Sequence, residues 1–141
     1  MSVETIENMV DWIEDNITDN PTLDDMSRYV GYSSFYCSAK FHENIGITFK
    51  QYVSKRRLSL AASDIKNTKI KILEIALKYG FSSQESFTRA FVNEYGYTPY
   101  QYRKQSDTVQ LFMKPNVFSV SKNDNKTLKD IYYLKETEDV R

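Results

Sequence analysis

The sequence predicts an all-α fold: two helix-turn-helix subdomains joined by a long linker helix, about seven helices in all, followed by a short C-terminal extension. Three observations carry this expectation. Apolar residues recur at three- and four-residue steps through most of the first 104 positions. Gly31, Gly46, Gly80 and Gly96 each interrupt that rhythm, with a Ser or Thr two residues further on that can start a new helix. The pattern also occurs twice. Phe41, Gly46, Thr48, Gln51 and Tyr52 match Phe91, Gly96, Thr98, Gln101 and Tyr102 at an offset of 50. Upstream, Leu23, Met26, Gly31, Tyr32 and Ser33 match Ile72, Ile75, Gly80, Phe81 and Ser82 at an offset of 49, so one residue is gained at the start of the second reading helix. Two copies are too few for a solenoid and suit a bipartite arrangement.

Taken in order, the first helix shows Ile6, Met9, Val10, Ile13 and Ile17 on one stripe, with Trp12 beside it as a core or helix-contact residue. Asn20-Pro21 ends it. Thr22 caps the second helix with Asp25 at the third position, and Leu23, Met26 and Val30 form its buried side. The first reading helix spans 33–44, with Tyr32, Cys37 and Phe41 turned inward and Ser34, Phe35, Ser38 and His42 turned outward. Thr48 then caps a helix over 49–65, a rod of about 25 Å at ~1.5 Å per residue.

A polar connection at 67–69 leads into a helix whose buried face is Ile72, Ile75, Ala76 and Tyr79. Gly80 stands where a left-handed residue ends that helix most easily. Ser82 with Glu85 fits a capping box for the second reading helix, in which Phe87, Ala90 and Phe91 share the inner face. Ser83, Gln84, Ser86 and Arg89 point away from it. Thr98 caps a last helix with Pro99 at its first position, and Arg103 and Lys104 close the repeat. The chain thus divides into 1–47, the N-terminal helix and first helix-turn-helix; 48–66, the linker helix; 67–104, the second helix-turn-helix and closing helix; and 105–141, the extension. In the extension, V-Q-L-F-M and V-F-S-V flank Pro115, and K-N-D-N-K and D-I-Y-Y-L follow; it is expected to pack on the second unit.

The net charge of zero over 141 residues hides a strong asymmetry. Residues 1–26 carry eight acidic side chains and no Lys or Arg, whereas residues 27–104 carry thirteen basic and five acidic, a net of plus eight. A basic repeat body with an acidic leading helix is the footprint of a polyanion binder. No apolar run approaches the ~20 residues of a membrane helix, and the first residues lack a basic and apolar leader, so a cytoplasmic location is expected. Cys37 is the single cysteine and reads as a small core residue. With one Cys and one His, His42, there is no metal cluster, no catalytic constellation and no cofactor loop, so an enzyme is not expected.

The motifs D-W-I-E-D-N at 11–16, G-Y-S at 31–33, Y-G-F-S-S-Q at 79–84, T-R-A-F at 88–91 and P-Y-Q-Y-R at 99–103 stand in this order over roughly three quarters of the chain. In them the chain resembles the DNA-binding domain of the AraC/XylS family of bacterial transcriptional regulators, in particular its stand-alone members of the MarA/SoxS/Rob type. The resemblance implies a sequence-specific regulator, an activator, that binds double-stranded DNA at a promoter as a monomer. Its two recognition helices would enter successive major grooves, with RNA polymerase as a further partner. The expected base-reading residues are Ser34, Phe35, Ser38 and Lys40 in the first unit and Ser83, Gln84, Ser86 and Arg89 in the second. Lys55, Arg56, Thr98 and Arg103 are the expected phosphate contacts.

The chain departs from the family pattern in two places, three residues in all. Ala39 and Lys40 stand where an arginine and a large apolar residue are usual, so either Lys40 or Phe35 takes over the contact or the first unit serves as a clamp. Glu85 places a carboxylate near the reading face, with a capping role as its simpler explanation. A different class of function is a protein-interaction module, an inhibitor of RNA polymerase or a heterodimerising decoy, with weak DNA binding.

Overall fold

Hydroxyl side chains set the helix starts in this protein. The computed structural model describes residues 1–117 and contains seven helices among them. They are α1 Val3–Asp15, α2 Leu23–Val30, α3 Ser34–Ile45, α4 Phe49–Asn67, α5 Ile72–Lys78, α6 Gln84–Tyr95 and α7 Pro99–Lys104. Ser2, Thr22, Ser33, Thr48, Ser83 and Thr98 each accept a backbone N–H of the first turn; only α5 starts without such a cap. Thr48 with Gln51 and Thr98 with Gln101 form complete capping boxes, each satisfying two amides that would otherwise lack a partner.

The second reading helix starts one residue later than the capping-box pattern suggested. Gly80, at φ +84°, closes α5: its N–H donates to the Leu77 carbonyl and that of Phe81 to the Ala76 carbonyl. Phe81 then lies against the Phe87 ring, 5.1 Å between centroids, so the chain needs one further residue before it can turn into α6. Ser83, not Ser82, caps the helix, accepting from the Ser86 N–H at 3.0 Å, and Glu85 is left outside the cap. The gained residue therefore belongs to the turn, and α3 and α6 are in register at an offset of 50 from Ser33 and Ser83 onward. Tyr32 also departs from expectation: it is 44% exposed, its ring lying against Tyr36 outside the first turn of α3.

Two apolar cores share α4. Ile6, Met9, Ile13, Met26, Cys37, Phe41 and Ile45 close on Tyr52 and Val53 at its N-terminal half. Ile75, Ala76, Phe87, Phe91 and Tyr102 close on Leu58, Ala61, Ala62 and Ile65 at its C-terminal half. Each fully buried aromatic or branched aliphatic residue stabilises its core by roughly 1.5–3 kcal/mol. Residues 54–57, polar and charged, fall in neither apolar cluster. Cys37 sits in the first core as a small apolar group, its thiol pushed up by burial. At 19 residues α4 is about 28 Å long, two residues longer than the periodicity suggested, because Thr68 ends it by donating to the Asp64 carbonyl.

The extension does not rest on the second unit alone. Val109 and Leu111 pack on the second core, but Phe112, Met113 and Val117 pack on the first. The segment crosses α4 because polar groups there receive its backbone. The Phe112 N–H donates to the Ser59 hydroxyl at 2.6 Å, and Arg56 Nη1 donates to the Phe112 carbonyl at 2.5 Å. The Phe112 ring meets Tyr52 edge-on, 5.8 Å between centroids, and Lys114 pairs with Asp11 at 2.5 Å. Beyond Val117, the rest of V-F-S-V and all of K-N-D-N-K and D-I-Y-Y-L lie outside the described residues. No helix among the described residues is long and apolar enough to cross a membrane.

Candidate nucleic-acid interface

The α2-turn-α3 and α5-turn-α6 units bury one face of each second helix and leave the other to solvent. On α3 the exposed stripe is Phe35, Ser38, Ala39 and His42, with Phe35 87% exposed. On α6 it is Gln84, Glu85, Arg89 and Val92. At the offset of 50, Phe35 corresponds to Glu85, Ala39 to Arg89 and His42 to Val92. The two stripes have the same geometry and opposite chemistry. The first carries a phenyl ring, a methyl, one hydroxyl and an imidazole and no formal charge with His42 neutral; the second carries an amide, a carboxylate and a guanidinium.

Arg89 approaches Glu85 at 3.6 Å on the surface, with 70% of its side chain exposed. Such an exposed i,i+4 pair contributes little and separates readily, so both groups remain available to a partner. Gln84 is exposed as well. These three, with Phe35 and Ser38, are the predicted or neighbouring side chains that the fold presents outward.

Four other expected base-readers are held elsewhere. Ser34 donates to Asp24 Oδ1 at 2.6 Å and shares a hydrogen bond with the Ser27 hydroxyl at 3.0 Å, tying α3 to α2. Lys40 lies on the flank of α3, paired with Glu43 at 3.2 Å and near the Tyr36 ring. Ser83 is the α6 cap, and the Ser86 hydroxyl donates back to the Ser83 carbonyl at 3.0 Å. A serine in a first turn satisfies the local backbone before it can reach outward.

The expected phosphate contacts change more. Arg56 is not a surface cation: it is 7% exposed, donates from Nε to Glu14 Oε1 at 2.6 Å and from Nη2 to Oε2 at 3.2 Å, and holds Phe112 through Nη1. Arg103 also turns inward. Its Nε donates to the Ile65 carbonyl at 2.9 Å, and its Nη2 is buried without a hydrogen-bond partner. Lys55 pairs with Glu94 of α6 at 3.6 Å and sits over the Phe112 ring. Thr98 caps α7 through its oxygen and keeps its hydroxyl hydrogen to donate.

Thr48, Lys50 and Lys104 were not among the contact residues singled out from the sequence, and all three are exposed. Thr48 repeats the Thr98 cap in the first unit, and the offset of 50 was the signal that points to it. Lys50 follows within the same first turn of α4, and Lys104 extends over the Tyr100 ring at 4.2 Å. The N-terminus of α4, with the Thr48 hydroxyl and Lys50, has the character that favours phosphate oxygens; Lys104 stands at the other end of its helix.

Residues 26–105 match the helix-turn-helix domain family. The chain is 42% identical over 99 residues to the Transposon Tn10 TetD protein of Escherichia coli, covering 70% of this chain and 72% of that one. It is 37% identical over 97 residues to the HTH-type transcriptional activator AarP of Providencia stuartii, covering 69% and 71%. Among solved structures, a transcriptional regulator of Chromobacterium violaceum described as having an AraC-type DNA-binding domain aligns with a TM-score of 0.68 at 28% identity, covering 74% of this chain and 96% of that one.

Proposed function

This chain belongs to the AraC family of helix-turn-helix, DNA-binding transcriptional regulators, and from that premise we propose that it binds a promoter as a monomer and activates transcription there. The observation that supports this most directly is the register of α3 and α6 on one stiff rod. Two equivalent reading helices in a single chain leave no need for a second copy to complete a bipartite site. Successive major grooves on one face of B-DNA recur about every 34 Å, a distance that two units flanking a helix of this length can span.

In this reading Arg89 takes a guanine and Gln84 an adenine, each by a bidentate contact. Glu85, which no cap occupies, accepts from a cytosine amine. In the first half-site Phe35 meets a thymine methyl and Ser38 donates or accepts once. Thr48, Lys50, Thr98 and Lys104 hold phosphates and set the register. The acidic outer side of α1 faces away from the duplex. Similarity to a protein named as a transcriptional activator supports activation, with RNA polymerase as the partner met beside the site.

One observation favours a second reading. The first unit exposes Phe35, Tyr29 and Tyr32 and offers no long polar side chain on its outer stripe. That face suits a protein partner, leaving DNA binding to the second unit. Selection of bound sites from random duplexes, followed by sedimentation of the complex, separates the two. A monomeric bipartite reader selects one asymmetric site with two half-sites about one turn (~10 base pairs) apart, at one chain per duplex. Two chains on an inverted repeat would overturn the monomer, and enrichment of a single half-site would favour the protein-docking face.

A further inference from the structure

The polar seam of α4, residues 54–57, lies between the two cores, and its three cations reach three different places. Lys55 pairs with Glu94 of α6, and Arg56 pairs with Glu14 of α1. Arg57 lies between the units. Its Nε donates to the Ile17 carbonyl at 3.2 Å and its Nη2 to Asn20 Oδ1 at 3.1 Å, both in the connection from α1 to α2. On the other side the guanidinium rests against Gly80, in the turn that leads into the second reading helix. A Cβ on Gly80 would stand 2.9 Å from Arg57 Nη1 and 2.9 Å from Asn20 Oδ1.

Asn20 is the only non-glycine residue with a positive φ among those described, at 53°. The first unit thus holds an unusual backbone conformation at the point where it presents its oxygen to Arg57. The Ile17 carbonyl and the Asn20 amide are both neutral, so the contact is directional rather than a charge pairing. Beside it a groove of about 440 Å³ opens between the units, lined by Pro21, Phe49, Lys50, Val53, Ser54 and Phe81 as well as Arg57.

Spacing matters to a bipartite reader because one inserted base pair moves a half-site by roughly 3.4 Å and rotates it by about a tenth of a turn. A loose joint follows that displacement and a stiff one rejects it. We propose that Arg57, held between Asn20 and Gly80, is the positioning residue that fixes which half-site spacing this protein accepts. The inference rests on the bipartite reading above and goes beyond it: neither a base nor a phosphate contact is involved.

The test measures affinity at fixed salt for duplexes whose two half-sites are moved together or apart by one and two base pairs. Two variants are compared with the unaltered protein. Arg57→Lys keeps the charge and loses the fork that bridges two acceptors. Asn20→Gly removes one acceptor, leaves every cation in place and suits the left-handed backbone. Thermal unfolding verifies that each is folded, and either variant alone is sufficient for the comparison.

Both should bind the preferred spacing and keep their penalties for single mismatches and their salt slope. Their preference for that spacing over its neighbours should fall by about 3- to 10-fold, the ratio one or two hydrogen bonds correspond to. An unchanged spacing preference in a folded variant overturns the inference. So does a uniform loss across all spacings with a smaller salt slope in Arg57→Lys, which would make Arg57 a phosphate contact. If the unaltered protein binds one half-site as tightly as two, the bipartite reading itself fails, and that outcome is visible before any variant is made.

Discussion

Arg56 and Glu14, separated by 42 positions, form a two-point ion pair in which Nε meets Oε1 at 2.6 Å and Nη2 meets Oε2 at 3.2 Å. The pair is almost entirely covered, and Tyr52 adds a third hydrogen bond to the same carboxylate at 2.8 Å. Removing one member of a buried pair strands the other without solvent. Arg56→Ala should therefore destabilise the protein by about 3 kcal/mol, roughly 10 °C in Tm for a chain of this size. Differential scanning calorimetry measures the loss, and a salt titration of DNA binding below the new Tm should give an unchanged slope. A slope reduced by about one would identify a phosphate contact after all.

Arg89 and Ser38 test the chemical asymmetry of the two reading faces. A bidentate arginine–guanine contact contributes about 1–3 kcal/mol of discrimination, and a lone hydroxyl contributes less. Arg89→Ala should relax the base preference at one position of one half-site by about 5- to 150-fold. Ser38→Ala should change affinity by less, and both proteins should unfold at the temperature of the parent because both side chains are exposed. Matched and single-mismatch duplexes at one salt concentration provide the comparison. A greater effect of Ser38→Ala would make the first unit the principal reader.

Tyr79 links α5 to α4 through Asp64, whose Oδ2 accepts from the phenol at 2.8 Å and from Lys78 Nζ at 2.9 Å. Burial, and then the Asp64 carboxylate, push the phenol up to about 12 from its ordinary 10. The folded state therefore retains a proton that the unfolded chain has already released. The stability associated with the neutral phenol is fully present below pH 10 and is lost as pH rises toward 12. Eleven tyrosines titrate in this range, so the informative quantity is the difference between the parent and Tyr79→Phe in urea midpoint. That difference should move in favour of the variant between pH 10 and 12, and a flat difference would sink the assignment.

What was legible in the sequence was local. Gly80 ends α5 where the rhythm of Ile72, Ile75 and Ala76 stops, and Thr22, Thr48 and Thr98 cap as their spacing suggested, because each contact lies within four residues. Arg56 was misjudged for the opposite reason. A cation on a long polar helix reads as solvated unless its partner is known, and Glu14 and Phe112 are distant in sequence. Arg103 fails in the same way, its acceptor being the Ile65 carbonyl 38 positions back. The serines of the reading helices were ambiguous by nature, since periodicity gives the face but does not say whether a hydroxyl bonds its own turn. At Ser34, Ser83 and Ser86 the backbone or a neighbouring helix wins; at Ser38 no such contact forms.

The crossing of α4 by the C-terminal segment bears on the order in which the chain is made. A ribosome releases the first unit before the second, and units generally begin to fold in that order. Here the first core lacks its wall until Phe112 and Val117 have emerged, and the Phe112 amide waits for Ser59 across 53 positions. Closing so long a loop is entropically costly and slow compared with forming either helical hairpin. The nascent first unit can therefore collapse early but cannot reach its final packing until most of the chain is outside the exit tunnel. What is synthesised first is thus completed only after the segment beyond α7 has been made.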